Sequence, residues 1–395
     1  MDADDARTIG ARLRQIRNSR GKSLEVIAGL AGISRASLSR IERGERPLDS
    51  RSETVALANA LQISPTELTR LPVPAPGNGD KDAAVTAVRR ALVAVTRDDP
   101  AGRVVPLEVL RTRVAALVAA KQACEHDRVG SDLPGVIRDL HTSMAAGRDV
   151  AELLAVAVML HVQGTQSWLG RMGASPDLCW HAALLARHAA REHGGSDVLG
   201  LAAFGAANGL LDAGDFDTAL AELDSVTVPT ITGEAQQLDG MLALSRSLVA
   251  ATDRRPGDVE APLDYAEELA ARTGEGNAYG LAFGPTNIGV WRMGMSLETH
   301  DYAHAVSVAE GLRPELLPAV RRAVYWAHYG RALARLRGRQ DDAVQALRRA
   351  EQISPARVQR NPFVREVLAE LLSRSRRDAA GRELRGMAYR AGLPV

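Results

Sequence analysis

The sequence predicts an all-α protein made of a small N-terminal helical domain and a long C-terminal array of helical repeats. Three features lead to this expectation: several short capped helices before residue 71, a proline- and glycine-rich segment after it, and a recurring turn followed by an alanine. Beyond residue 84 apolar residues keep helical spacing, without a convincing alternating strand pattern. We therefore divide the chain into residues 1–71, a linker at 72–83 and a repeat region at 84–395.

The N-terminal segment contains two short helices joined by a tight turn. Ser23 and Ser34 stand at the expected helix starts, where a serine hydroxyl can accept a hydrogen bond from a free backbone N–H. Gly32 supplies the turn between them. The apolar residues expected to face inward are Ile27, Ala28, Leu30, Leu38 and Ile41. A fourth helix is predicted to begin near Ser50, and a fifth in residues 64–68 with Pro65 at its first position.

Residues 8–71 resemble the lambda-repressor-like family, also called the xenobiotic-response-element (XRE) family of bacterial and phage regulators. The resemblance rests on Ile41-Glu42-Arg43-Gly44 at the end of the second of the two helices and on Arg17 upstream. It implies a five-helix, helix-turn-helix DNA-binding domain in which Glu42 pairs internally with Arg17. A degenerate domain that serves only protein contacts is the alternative.

By this resemblance, the helix after Ser34 is the recognition helix, which enters the major groove of duplex DNA. Its base-reading positions are held by Arg35, Ala36 and Arg40, and the fork of an arginine matches the two acceptors of guanine. The full set of expected DNA-binding residues is Arg35, Ala36, Ser37, Ser39, Arg40, Arg43 and Arg46. Ser37, Arg43 and Arg46 are better placed for phosphate, which positions the domain. The chain departs from the family at Leu24, where a phosphate-contacting glutamine is common, and at Ala36.

The repeat region shows a turn followed by an alanine inside a new helix. Three clear landmarks are Ala219, Ala305 and Ala343, and two weaker ones are Ala182 and Ala266. Successive spacings are 37, 47, 39 and 38 residues. This resembles tetratricopeptide (TPR) repeats, in which a small residue lets two antiparallel helices approach and each pair covers the next. The alternative is an irregular helical bundle with a chance periodicity.

Aromatic side chains recur before these alanines. Fourteen residues upstream of the landmarks stand Trp168, Gly205, Thr252, Trp291 and Tyr329. In a repeat fold this position lies on the first helix of each pair, which lines the concave surface. The expected ligand-binding residues are Trp168, Asn208, Asn287, Trp291, Tyr325, His328 and Tyr329. Such a strip suits a peptide or small molecule, although aromatics here often fill the core between repeats.

Tandem repeats behind a helix-turn-helix also resemble the quorum-sensing peptide receptors of Gram-positive bacteria and actinobacterial regulators of similar layout. This resemblance implies a homodimer that binds double-stranded DNA and senses a peptide or small-molecule effector. Two alternatives remain open: a ligand-independent regulator whose repeats bind another protein, and a scaffold with a vestigial DNA domain. The 46 arginines against three lysines fit a GC-rich, actinobacterial genome.

Bulk properties exclude several other classes of protein. We expect no membrane span and no signal peptide, and two cysteines without metal spacing favour a reduced cytoplasmic protein. We find no cofactor motif, no metal site and no catalytic constellation; Cys124 and His126 point to different helix faces, so an enzyme is not expected. Residues 310–395 carry a net charge of +9 and are expected to form a solvated arginine-rich face.

Overall fold

The structure, a computed structural model, describes residues 8–69, 79–374 and 379–395. All regular secondary structure in these ranges is helical, and they contain no strand. The predicted fold class is therefore confirmed: a small N-terminal helical domain precedes many further helices. Within the same ranges, no helix is both long enough and apolar enough to cross a membrane.

Five helices form the N-terminal domain, and the second, third and fourth begin at the predicted serines. They are α1 (Ile9–Ser19), α2 (Leu24–Leu30), α3 (Arg35–Glu42), α4 (Arg51–Leu61) and α5 (Pro65–Thr69). Ser23 Oγ accepts a hydrogen bond from the N–H of Val26 at 3.2 Å, and Ser34 Oγ accepts one from Ser37 at 3.1 Å. Ser50 caps α4 in the same way. These bonds satisfy N–H groups that have no partner inside their own helix.

The core of this domain is formed by inward-facing aliphatic side chains. Ile27 and Leu38 are fully buried, and Ile41 is 1% exposed. Leu30 was predicted to face inward, and that prediction is wrong: its side chain is 67% exposed. It lies two residues beyond the buried Ala28, roughly 200° around the helix, so it points away from the core that Ala28 faces.

Three helices lead from the N-terminal domain into the array: α6 (Gly79–Thr96), α7 (Leu107–Gln122) and α8 (His126–Ala145). The predicted linker at 72–83 is therefore partly wrong, because residues 79–83 are helical. Its prolines lie at 72, 74 and 76, so no proline interrupts the helix after Gly79. The linker residues up to 78 lie outside the described part of the chain.

Five helical hairpins follow. The first pairs α9 (Val150–Met159), a π-helix (Leu160–Gln166) and α10 (Ser167–Arg171) with α11 (Pro176–His193). The others pair α12 (Ser196–Ala213) with α13 (Phe216–Asp224), α14 (Gly233–Thr252) with α15 (Glu260–Thr273), α16 (Pro285–Glu298) with α17 (Tyr302–Glu310), and α18 (Ala319–Leu333) with α19 (Gln340–Ile353). The chain ends in α20 (Pro355–Gln359), α21 (Pro362–Ser373) and α22 (Ala379–Arg390). Short 3-10 turns lie at Pro256–Asp258, Ala278–Gly280 and Pro314–Leu316.

Each landmark alanine lies on the second helix of a different hairpin. Ala182, Ala219, Ala266, Ala305 and Ala343 are all fully buried, with 0% of their surface exposed. A larger side chain would hold the two helices of a hairpin apart, so the residue type follows from the packing. The predicted recurrence thus matches one hairpin per landmark, which is consistent with a helical solenoid; the tetratricopeptide assignment itself stays a prediction.

The two ends of the array meet. Helix α7 contacts α18, His126 Nε2 lies 3.2 Å from Ser354 Oγ, and Arg360 donates a hydrogen bond to the carbonyl oxygen of Met172. We call these two polar contacts the seam. Consecutive first helices also contact one another, from α12 through α14 and α16 to α18. The first helices therefore surround a central region, which we call the interior.

Candidate nucleic-acid interface and interior polar site

Helix α3 presents a polar face to solvent. Leu38 and Ile41 anchor it in the domain core, while Arg35, Ala36 and Arg40 are exposed on the opposite side. The serine cap at Ser34 fixes where the helix begins, and so fixes which residues occupy its first exposed turn. The three predicted base-reading positions therefore lie together on one accessible surface.

A buried ion pair holds the end of α3 against α1. The guanidinium of Arg17 donates from Nε and Nη2 to the two carboxylate oxygens of Glu42, at 2.6 and 2.8 Å, and its Nη1 donates to the carbonyl of Lys22 at 2.8 Å. The hydrogen bonds that Arg17 donates to Glu42 raise the pKa of Arg17. The predicted internal pairing of Glu42 with Arg17 is confirmed, so both residues position α3.

The helices α1 and α3 also cross at very close range. A Cβ atom at Gly10 would lie 2.0 Å from the carbonyl oxygen of Ile41. Only a residue without a side chain allows this approach, so Gly10 contributes to the placement of α3 as directly as the ion pair does.

The predicted phosphate-contacting residues have different surroundings. Arg43 is exposed, pairs with Glu45 at 2.7 Å, and donates to Ser39 Oγ at 3.0 Å. Arg46 pairs with Glu53 at 2.7 Å and is only partly exposed, and Ser37 is half-buried. Both arginines would have to leave a carboxylate to bind a phosphate, but the Arg43 pair is exposed whereas the Arg46 pair is largely buried. Their roles on DNA stay predictions.

A family model described as a helix-turn-helix domain matches residues 8–71. No curated protein and no solved structure matches the chain. The N-terminal domain is a helix-turn-helix DNA-binding domain. The match supports a DNA-binding regulator, and α3 is the second helix of the helix-turn-helix motif.

The helix-turn-helix domain is docked on the array by the start of α4. Arg51 pairs with Asp212 at 3.1 Å and with Glu298 at 3.2 Å, and its backbone N–H donates to Glu298 at 2.7 Å. Ser52 accepts a hydrogen bond from Arg254 at 2.7 Å. Asp212, Arg254 and Glu298 lie at the C-terminal ends of α12, α14 and α16. The domain therefore covers the end of the interior at which these first helices terminate.

A second group of contacts continues the docking on α18 and α21. Arg335 pairs with Asp49 at 3.2 Å and also with Glu370, and all three side chains are largely buried. Arg331 donates to the carbonyl of Asp49, and the carboxylate of Glu366 accepts the N–H of Ile9 at 2.7 Å. These contacts involve the starts of α1 and α4, so they leave the exposed face of α3 free.

The predicted ligand-binding residues do not form one surface. Trp168 is 1% exposed and donates to the carbonyl of His126 at 2.9 Å, which places it in the packing between α8 and α10. Asn208 donates to the carbonyl of Phe204 on its own helix at 2.7 Å. Tyr325 donates to the carbonyl of Ala309, on α17, at 3.0 Å. Each of these three polar groups therefore already has a partner within the protein.

Tyr329 behaves like Tyr325. Its ring stacks on that of Tyr325 with centroids 6.0 Å apart, and its hydroxyl donates to Glu310 on α17 at 3.2 Å. Both tyrosines thus pack α18 against the second helix of the preceding hairpin. This is the core-filling alternative that the sequence left open.

The remaining predicted residues surround Arg321 on α18. The Nε of Arg321 donates to Asn287 Oδ1 at 2.7 Å, and its guanidinium lies 5.7 Å from the ring centroid of Trp291. Burial, together with charges that include Arg321, lowers the pKa of His328 well below its usual value. Asn287, Trp291 and His328 are therefore brought together around one half-buried arginine.

Arg321 belongs to a group of cations that sequence reasoning missed. Lys121 on α7, Arg171 on α10 and Arg357 on α20 are its neighbours, and we call these four residues the cation cluster. Burial, then the charges of Arg171 and Arg321, lowers the pKa of Lys121 to about 7. Burial and the charge of Arg171 lower the pKa of Arg321 to about 9.

The expectation of a solvated arginine face in residues 310–395 is wrong for several members. Arg331 and Arg365 are 5% and 4% exposed, and Arg321 and Arg357 are half-buried. The excess positive charge of this segment was the available signal, but it could not show which side of the helices the arginines occupy. Closure of the array turns them inward.

Proposed function

We propose that this chain is a dimeric, sequence-specific transcriptional regulator that reads duplex DNA with the exposed face of α3. The observation that carries the proposal is the exposure of Arg35, Ala36 and Arg40 on a recognition helix whose back is fixed by Arg17 and Glu42. Arg35 and Arg40 would form forked hydrogen bonds to guanine edges, while Ala36 would contact base methyl groups.

Phosphate contacts would come from the margin of the same surface. Ser37, Ser39, Arg43 and Arg46 flank the base-reading face, and Arg43 is the most accessible of them. Two copies of the domain in a dimer would bind half-sites about one helical turn apart, so the operator should show two-fold symmetry. The salt dependence of binding would report how many phosphates are neutralised.

The helical array would carry dimerisation and effector sensing, without catalysis. Asn287, Trp291 and His328 gather at the interior, which suits a bound peptide or small molecule. Burial raises the pKa of the Cys124 thiol, which disfavours the thiolate that nucleophilic catalysis needs. An effector changes DNA affinity only if it binds one arrangement of the domains better than another.

Fluorescence anisotropy with the DNA upstream of the protein's own coding sequence tests this function. Wild-type protein is compared at two salt concentrations with Arg35→Gln/Arg40→Gln and with the charge-matched control Arg89→Gln/Arg90→Gln, which alters two exposed arginines on α6. We expect the first double variant to lose specific binding and the control to keep it. Genome-wide DNA capture extends the search if this DNA is not the operator; capture of no specific site would overturn the proposal in favour of a scaffold.

A further inference from the structure

The interior holds positive charge drawn from four separate parts of the chain. Lys121, Arg171, Arg321 and Arg357 stand on α7, α10, α18 and α20, and α18 contacts both α7 and α20. Lys121 is 5% exposed, and its ammonium donates to Gln163 Oε1, on the π-helix, at 2.7 Å. Like charges repel strongly in a buried environment, so four neighbouring cations call for a negative charge that neutralises them.

No carboxylate fills that role among the described residues. Within them, Arg171, Arg321 and Arg357 form no ion pair, while nearby Arg51 and Arg335 each pair with two acidic side chains. The carboxylate whose charge raises the pKa of Arg171 is that of Asp212, which already pairs with Arg51. The arginines of the docking interface are therefore neutralised by carboxylates, whereas the arginines of the cation cluster are not.

Several polar atoms beside the cluster also lack partners. Arg357 Nε, His328 Nδ1 and Trp291 Nε1 are buried and form no hydrogen bond in the part of the chain that the structure describes. Trp291 is 8% exposed and lies under the guanidinium of Arg321. A buried polar atom without a partner is costly and calls for an explanation, such as a group that binds there.

The three arginines of the cation cluster are only partly buried. Burial is the largest cause of the lowered pKa values of Arg171, Arg321 and Arg357, yet each side chain keeps part of its surface accessible. The π-helix, a form often found at functional sites, brings Gln163 to the same place.

We propose that the cation cluster binds an anionic small molecule that carries at least two negative charges, such as a phosphate ester or a polycarboxylate. Guanidinium groups donate paired hydrogen bonds to phosphate and carboxylate oxygens, and Lys121 adds a point charge. The indole of Trp291 and the imidazole of His328 offer further contacts to the rest of the molecule. This inference rests on the proposed function, because it identifies the chemistry of the effector.

The same geometry connects the anion to the DNA-binding domain. Arg51 contributes, after burial and nearer arginines, to the lowered pKa values of His328 and Arg357, so it lies close to the cluster. Arg51 is also the residue through which α4 pairs with Asp212 and Glu298. A bound anion would compete with these carboxylates for Arg51 and would thereby change how the domain is held.

Titration calorimetry on the full-length protein tests the site, with pyrophosphate and citrate as probes and sodium chloride at matched ionic strength as the control. Arg171→Gln, Arg321→Gln and Arg357→Gln are compared with Arg337→Gln, which removes the same charge from an exposed position just after α18. We expect millimolar or tighter binding of at least one probe. Each cluster variant should weaken it at least about tenfold, as for a lost hydrogen bond between charged groups, while Arg337→Gln should not. Preference for pyrophosphate or for citrate would tell a phosphate ligand from a carboxylate one.

Thermal unfolding without probe separates a binding role from a structural one. If the arginines only repel one another in the free protein, the cluster variants should melt at the wild-type temperature or above it, and should lose the stabilisation by the probe. The proposal is overturned if no probe binds, if Arg337→Gln weakens binding equally, or if the variants unfold at lower temperature and still bind. These measurements contain no DNA, so their outcome is independent of whether α3 recognises an operator.

Discussion

The most decisive single residues of the N-terminal domain are charged and buried. Arg17 and Glu42 are joined by two short hydrogen bonds at the end of the recognition helix. A buried pair of this kind contributes little over an apolar pair, but the removal of one partner leaves the other charge without compensation. The orientation of α3 therefore depends on both residues being present.

We expect Glu42→Gln to destabilise the helix-turn-helix domain by about 3 kcal/mol, because Arg17 keeps its charge and loses its carboxylate partner. The control is Glu45→Gln, whose arginine partner Arg43 is exposed; it should unfold like the wild type. Chemical denaturation of both variants, followed by circular dichroism, measures the difference. Equal stability of the two variants would show that the buried pair does not hold α3.

The ionisation of Lys121 makes the free energy of unfolding depend on pH, and the lowered pKa of Lys121 determines the sign of this dependence. Its pKa is lowered to about 7, by burial and then by Arg171 and Arg321, so the unfolded chain binds this proton more strongly than the folded protein. The free energy of unfolding should therefore rise as pH increases from about 7 towards the ordinary lysine value, and this contribution should be constant below pH 7. Cys124, the other nearby titrating group, acts in the opposite direction on Lys121.

We expect Lys121→Met to remove this slope and to stabilise the protein at pH 7 by a few kcal/mol, since no buried ammonium then has to be accommodated. Lys22→Met, at an exposed lysine, is the control. Urea denaturation at pH 7 and pH 9.5 gives the slope for each protein. A wild-type slope in Lys121→Met would contradict the assignment.

At the scale of the element, α3 combines two kinds of contact that substitution can separate. Arg40 lies on the exposed base-reading face, whereas Arg43 follows the helix and is already bonded to Glu45 and Ser39. Base contacts confer specificity, while phosphate contacts set affinity for all sequences alike.

We expect Arg40→Gln to lose about 1–3 kcal/mol of discrimination between operator and unrelated DNA. Arg43→Gln should instead weaken both complexes equally and lower the salt slope by about one. Anisotropy titrations over a salt series, with operator and scrambled duplexes, distinguish the two variants. If both lose specificity to the same extent, Arg43 also reads a base.

Elements were predictable from sequence where the determinants are local. The caps at Ser23, Ser34 and Ser50 act within a few residues, so their positions fix the helix starts. The landmark alanines were predictable because the two helices of each hairpin approach each other closely at one small residue. Leu30 was misplaced because Ala31, one residue beyond the helix, takes the inward position in its stead.

At the scale of the molecule, the docking of the DNA-binding domain and the cation cluster could not be predicted from the sequence. Arg51 and Glu298, or Ile9 and Glu366, meet across hundreds of residues, and no periodicity specifies which helix ends come together. The predicted ligand-binding residues are dispersed for the same reason, and their binding role stays a prediction. Residues at equivalent repeat positions, such as Trp168 and Trp291, have different neighbours once the array closes.

We expect Arg335→Gln to loosen the docked domain, because Asp49 would be left as a buried carboxylate without an ion-pair partner, while Glu370 would keep only the exposed Arg374. Hydrogen exchange should increase in residues 49–53, while the core of the array keeps its protection. Arg337→Gln, two residues further on and exposed, is the matched control. Unchanged exchange in Arg335→Gln would show that other contacts suffice to hold the domain.

The seam affects how fast a bound molecule could leave the interior. His126 with Ser354 and Arg360 with Met172 join the two ends of the array, and the DNA-binding domain covers one end of the interior. A molecule held inside would leave faster when one of these closures opens, so a conformational rate would contribute to its residence time. Such a regulator would keep its effector bound for some time after the concentration of free effector had fallen, so the transcriptional response would outlast the signal.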